Sequence, residues 1–225
     1  MEKYALVTGC SSGLGFEMVN WLLDEGYVVF GVSRSGLDIN NGNYIDIVCD
    51  IRDEDEVREM VEMVNQNTYG LHLIINNAGI FEMASLKETT SESFLDHLQT
   101  NVQGTFHVLR SMEDFLIENE THIVTISSVA SKKGFANVSA YCASKFALNG
   151  LIESVREEWK RLGVRFSTLK PGAIDTPLWD GVEDFDREEM MTIEDFMHVF
   201  SMVVDSPPTM QFPEISFMHK SGVLE

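Results

Sequence analysis

The chain has 225 residues, 44% hydrophobic and 23% charged, enough for one globular domain with a sizeable core. Sixteen Lys and Arg stand against 36 Asp and Glu, a formal charge of −20. That balance works against nucleic acid and anionic membrane, which proteins bind by setting basic residues on phosphates, and against an acidic carrier protein as partner.

At the N-terminus, Met1-Glu2-Lys3-Tyr4 leads straight into an apolar run without the parts of a signal peptide. Apolar runs at residues 5–7, 28–32, 73–75, 123–126 and 164–169 are continuous rather than alternating, as parallel strands covered on both faces require. Between the first two, Leu14, Met18, Trp21 and Leu22 have helical spacing, and Gly26 follows as a natural stop. Strand and helix alternate onward, which predicts an α/β fold with a doubly wound parallel sheet in a single domain over residues 1–225. From Asp180 to Asp195 acidic residues crowd the chain, interrupted by Phe185, Met190, Met191 and Ile193. That stretch reads as a substrate loop over a site, at about residues 177–195, or as a solvated helix pair joining two core strands. Pro207 and Pro208 then break the helical pattern before a last strand near Glu214–Met218. Leu224-Glu225 also reads as an expression scar. No stretch approaches the roughly 18 apolar residues of a membrane span. Cys10, Cys49 and Cys142 form no metal or disulfide pattern, so no metal is expected and a reducing cytoplasm fits best.

Directly after the first strand comes Thr8-Gly9-Cys10-Ser11-Ser12-Gly13-Leu14-Gly15, opening the first helix. Glycines there permit a tight turn and close approach to a pyrophosphate, and the helix start supplies N–H donors. The second strand ends Gly31-Val32-Ser33-Arg34. An acidic residue at this point would accept the adenosine ribose hydroxyls of NAD; Ser33 followed by Arg34 instead suits a 2′-phosphate, so NADP(H) is the expected cofactor. Tyr141 and Lys145 lie four apart and share one helix face. A phenol can protonate a carbonyl oxygen as hydride reaches the carbon. An ammonium at about 4 Å, worth on the order of 4 kcal/mol at an effective dielectric of about 20, would bring its pKa down from near 10.

Taken in order, the Gly-x-x-x-Gly-x-Gly spacing, Asn76-Asn77-Ala78-Gly79, Asn101, Ser128, Tyr141-x-x-x-Lys145, Pro171-Gly172 and Thr176 resemble the short-chain dehydrogenase/reductase family from about Lys3 to Pro177. The resemblance implies a Rossmann-type domain and an oxidoreductase interconverting a carbonyl and an alcohol. It places Gly9, Ser11, Ser12, Gly13, Leu14 and Gly15 at the cofactor, with Ser33 and Arg34, Asp50 and Ile51 at its adenosine end, and Asn77, Ala78 and Gly79 beside them. Pro171, Gly172, Ile174 and Thr176 also belong to the cofactor side, Thr176 at the nicotinamide carboxamide. Asn101, Ser128, Tyr141 and Lys145 are the implied catalytic set. Ser128 orients the substrate oxygen, with Ser127 as rival if the register slips by one, and Asn101 organises a water or simply kinks its helix. Asp50 reads alternatively as a helix cap, and Cys142 as small-residue packing.

Ile80, Phe81, Phe135, Val138, Leu178 and Trp179 are candidate pocket residues, mostly apolar, suggesting a neutral, medium-sized aldehyde, ketone or secondary alcohol. Family analogy implies a homodimer or homotetramer through the helices carrying Asn101 and Tyr141. Beyond Thr176 the chain departs from the family pattern, with no Gly-Gly ending after Ile215-Ser216-Phe217. Three other readings are weighed. A 3-oxoacyl-carrier-protein reductase is disfavoured by the charge. A nucleotide-sugar epimerase is disfavoured by chain length and glycine spacing. An NADP(H)-sensing regulatory protein on the same scaffold would not require Ser128, Tyr141 and Lys145.

Overall fold

Strands β1 (Lys3–Thr8), β2 (Tyr27–Ser33), β3 (Tyr44–Val48), β4 (Leu73–Asn76), β5 (His122–Ile126), β6 (Arg165–Pro171) and β7 (Ile215–Phe217) hydrogen-bond in the order β3-β2-β1-β4-β5-β6-β7. Every pairing is parallel. This computed structural model describes residues 2–118, 120–182 and 186–222; Phe185 and Leu224-Glu225 lie outside the described residues.

The continuous apolar runs are explained by burial on both faces. Leu6, Phe30, Ile74, Ile123 and Phe166 point to one side, against α2 (Glu54–Asn65), α4 (Thr105–Met112) and α5 (Ser139–Trp159). Ala5, Val7, Val29, Ile75, Val124 and Leu169 point to the other, against α1 (Gly13–Asp24) and α6 (Ile193–Val204). Gly26, with φ of +79°, ends the first helix as its position suggested. Among the described residues, no helix is long and apolar enough to cross a membrane.

One expectation is corrected. Among the described residues the acidic stretch is not a helix pair: it holds a short turn at Arg187–Glu189, and α6 starts only at Ile193, behind a reciprocal cap between Thr192 and Asp195. Arg187 binds Asp175 at 2.6 Å and Asp180 at 2.8 Å, and the Met191 N–H donates to the Ala173 carbonyl at 3.0 Å. The stretch is thereby strapped to the loop after β6. The helix carrying Asn101 is not α-helical throughout, in keeping with the reading of Asn101 as distorting it. Between α3 (Ser91–Leu98) and α4 it widens into a π-helical turn, Gln99–Gly104.

Chain direction decides where the site falls. The strands step outward from β1 to β3, then β4 returns to the other flank of β1. At such a reversal the loops leaving the two strands part, and a crevice opens at their carboxyl ends.

Candidate active site

The loop after β1 turns at Gly9, whose φ of +68° suits glycine alone, and a Cβ there would stand 2.7 Å from the Ala78 Cα. At Gly15 a side chain would overlap the Gly9 carbonyl, so Gly15 serves packing of helix on loop rather than lining the groove. Asn77 braces this turn: its Nδ2 donates to the Thr8 and Gly9 carbonyls at 3.0 Å each. The Asn77 and Ala78 N–H groups both donate to Thr8 Oγ1 at 3.1 Å.

Asp53, Thr90 and Thr192 cap α2, α3 and α6 with their side chains, but Ser12 makes no such bond at the start of α1, whose first turn holds no acidic residue. The opening N–H groups of α1 thus remain turned to the crevice, where an anionic group can accept them. The resulting groove, about 340 Å³, is bounded by Ser11, Ser12, Gly13 and Leu14, by Ser33 and Arg34, and by Asp50 and Ile51. Ala78, Gly79, Tyr141, Lys145 and Thr176 also line it. Ser33 is buried with its Oγ unpartnered, and Arg34 is exposed at the rim.

Asp50 is not the cap of α2, a role Asp53 takes by accepting from the Asp55 and Glu56 N–H groups. Its carboxylate is instead gripped by Arg52, whose backbone N–H and Nε reach Oδ1 at 3.0 Å and whose terminal nitrogen reaches Oδ2 at 2.6 Å. That hydrogen bonding holds the Asp50 pKa below the usual carboxylate value. Arg52 also lines the groove and went unremarked in the sequence; a basic residue two places beyond Asp50 was its only signal.

A second cavity, about 940 Å³, opens on the far side of Tyr141. Leu14, Tyr141, Thr176 and Leu178 line both spaces. Phe81, Phe135, Val138, Leu178 and Trp179 line the larger one as expected; Ile80 does not, and faces the groove. Asn101 explains this: its Oδ1 accepts the Ile80 N–H at 2.8 Å and its Nδ2 donates to the Ile80 carbonyl at 3.1 Å, fixing that backbone. The same Nδ2 donates to Ser144 Oγ at 2.9 Å. Pro171, Gly172 and Ile174 line the larger cavity, not the groove, because β6 lies two strands beyond β4.

Ser128 follows β5 with its Oγ accepting the Ala130 N–H at 3.1 Å, beside the Tyr141 phenol. The hydroxyl hydrogen-bonded with Tyr141 is that of Ser128, while Ser127 has a buried Oγ with no partner. Lys145 is buried; its Nζ donates to the Ile126 carbonyl at 3.1 Å and lies 5.6 Å from the Tyr141 ring centroid. Here the electrostatic expectation is corrected. Burial pushes Tyr141 up to about 12, offset in part by the nearby Ser128 hydroxyl, and burial brings Lys145 down to about 8. The dry surroundings penalise both ions, and Lys145 spends a donor on Ile126 rather than on the phenol. His97, also missed in the sequence, is buried edge-to-face with Tyr141 at 6.4 Å between centroids. Cys142 packs with Ala130 and Val138.

Comparison with known proteins places the chain in a family. The short chain dehydrogenase family model matches residues 3–187. Sepiapterin reductase of Chlorobaculum tepidum is 31% identical over 180 residues, covering 80% of this chain and 74% of the relative. Among solved structures, an alcohol dehydrogenase from the archaeon Thermococcus sibiricus, complexed with 5-hydroxy-NADP, superposes with a TM-score of 0.87 over the whole of both chains at 21% identity. A short chain dehydrogenase from Burkholderia cenocepacia in complex with NADP gives 0.81 over 96% of each chain at 26% identity. The chain belongs to the short-chain dehydrogenase/reductase family of oxidoreductases.

Proposed function

We propose that the protein is an NADP(H)-dependent oxidoreductase that interconverts a neutral carbonyl and its alcohol, with Tyr141 handling the proton. The observation that carries this reading is the position of Tyr141 on the wall shared by the groove and the larger cavity. The residues of the groove fit the cofactor. The uncapped start of α1 suits its pyrophosphate, and the unpartnered Ser33 hydroxyl with the exposed Arg34 suits a 2′-phosphate.

NADP(H), when held in the groove by these residues, would supply or take up the hydride. Tyr141 then exchanges the proton at the substrate oxygen, and Ser128 holds that oxygen by a hydrogen bond. With its pKa held up by burial, the Tyr141 phenol is protonated at neutral pH in the ligand-free site, the form that donates to a carbonyl oxygen. Lys145 carries the positive charge that favours phenolate when the reaction runs toward oxidation, and helps hold the nicotinamide ribose. Asn101 keeps the Ile80 backbone and Ser144 in register behind it. Thr176 stands where the groove meets the cavity and would meet the nicotinamide carboxamide.

The residues flanking this centre include the exposed apolar side chains Phe94, Leu95, Phe106 and Phe146 on α3, α4 and α5, which support pairing of two chains through these helices. Light scattering tests that pairing, and a monomer at all concentrations would refute it. The three cysteines, all free and buried, suit a reducing cytoplasm.

The deciding experiment is a panel of aldehydes and ketones followed by NADPH absorbance. Tyr141→Phe is expected to lower turnover by roughly 10²- to 10⁴-fold. Near-wild-type turnover by that variant would overturn the mechanism. NADPH binding without turnover on any substrate would favour a sensor.

A further inference from the structure

One wall of the larger cavity is aromatic. Phe81 sits between Tyr141 and Trp179, its ring centroid 5.0 Å from each, edge-to-face with Tyr141 at 89° and tilted at 44° to Trp179. Phe135 lines the same space, with the Lys133 ammonium 5.2 Å from its ring centroid. Met83 adds a thioether, which makes favourable contacts with aromatic rings. These side chains come from three separate stretches of chain: the segment after β4, the approach to α5 with α5 itself, and the turn after Thr176. Three loops thus converge on one chemistry beside the reacting hydroxyl.

We infer that the substrate carries its carbonyl on an aromatic ring system, as a neutral aryl or heteroaryl aldehyde or ketone. The inference rests on the carbonyl–alcohol reading above and narrows it. Tyr141 fixes where the substrate oxygen must lie. Phe81 packs directly on the Tyr141 ring, so whatever is bonded to the carbonyl carbon meets the Phe81–Trp179 wall first. A flat, rigid ring presents an extended face to that wall and loses almost no rotamer freedom on binding, whereas an alkyl chain of equal size loses it at every bond. The volume of about 940 Å³ lies in the range of sites for drug-sized ligands and accommodates fused rings as well as a single one. Among the described residues the charged lining is Glu88 and Lys133, one of each sign, which gives no net preference for an ionic substrate.

The test uses pairs of equal size that differ in aromaticity: benzaldehyde with cyclohexanecarbaldehyde, and acetophenone with cyclohexyl methyl ketone. The ratio of kcat/KM within each pair is measured in wild type, Phe81→Leu and Trp179→Leu. Intrinsic reactivity is the same in all three proteins, so a change in ratio reads the wall alone. Each substitution is expected to lower the aryl-to-cyclohexyl ratio roughly 2- to 10-fold, the worth of one aromatic pair. Should Phe81→Leu fail to fold, Trp179→Leu alters a partly exposed side chain and carries the test alone. Calorimetry of the two ketones on the NADP⁺-loaded protein, where no reduction can occur, gives a second readout; tighter binding of acetophenone in wild type, reduced in the variants, is expected. Turnover of the cyclohexyl compounds with unchanged ratios in both variants would overturn the aromatic assignment and leave the carbonyl reading intact. No NADPH oxidation with any carbonyl would overturn the carbonyl reading, and this inference with it.

Discussion

A phenol in a dry pocket resists ionisation unless a cation faces its oxygen, and in the ligand-free site Lys145 bonds to the Ile126 carbonyl instead. With its pKa near 12, Tyr141 should add no phenolate absorbance below about pH 10 in the ligand-free protein. The measurement is a 295 nm difference titration of wild type against Tyr141→Phe, and a step near neutral pH would contradict the arrangement. Helical spacing put Tyr141 and Lys145 on one face in the sequence, whereas Ser128 was placed only by the family's order of motifs. The direction of the pKa was not legible, since burial and the Ile126 carbonyl come from distant strands. Arg34 is the other residue whose role follows from charge. Its guanidinium should favour a 2′-phosphate, so Arg34→Ala is expected to lower the NADPH-over-NADH preference in kcat/KM by roughly 10- to 100-fold, as the loss of charge-assisted hydrogen bonds implies. An unchanged preference would remove Arg34 from the cofactor.

At the scale of elements, the π-helical turn at Gln99–Gly104 is the feature that periodicity hides. Apolar spacing runs through α3 and α4 almost unbroken, and one extra residue per turn leaves no compositional mark. What the turn achieves is specific: it holds Asn101 against the Ile80 backbone and Ser144, tying the segment after β4 to α5. Replacing Asn101 by Leu leaves the half-buried Ile80 N–H and carbonyl without these partners. The expected loss is about 2–4 kcal/mol of unfolding free energy in urea. A loss under half a kilocalorie, roughly the scatter of surface changes, would show that Ile80 finds other partners. The acidic stretch before α6 was similarly opaque. Its charges and interspersed methionines left a substrate loop and a solvated helix pair both open; Met190 and Met191 are buried and Arg187 ties the stretch to Asp175, contacts that depend on the loop after β6.

For the whole molecule, the parallel sheet was readable because burial on both faces leaves continuous apolar runs, and the site followed from the point where strand order reverses. The strands also bury a titratable group that periodicity treats as an interruption. His122, first residue of β5, is buried with Nε2 at 2.9 Å from Ser167 Oγ, while its Nδ1 has no partner. Burial, with a smaller contribution from Arg165, brings its pKa down to about 3 from 6.5. Between those values the unfolded chain binds a proton that the folded chain refuses. Stability from this group is therefore complete above about pH 6.5 and is lost as pH falls toward 3. At pH 5 the loss is about 2 kcal/mol, since each pH unit below the unfolded pKa contributes about 1.4 kcal/mol. His72, whose pKa is also lowered by burial, adds a smaller slope of the same sign. The comparison that isolates His122 is urea unfolding of wild type and His122→Asn at pH 7 and pH 5, because His72 and the carboxylates contribute equally to both proteins. Wild type should lose about 2 kcal/mol more than the variant between the two pH values. Equal losses would mean that His122 is protonated in the folded sheet, which would require an anionic or water partner at its unpartnered nitrogen.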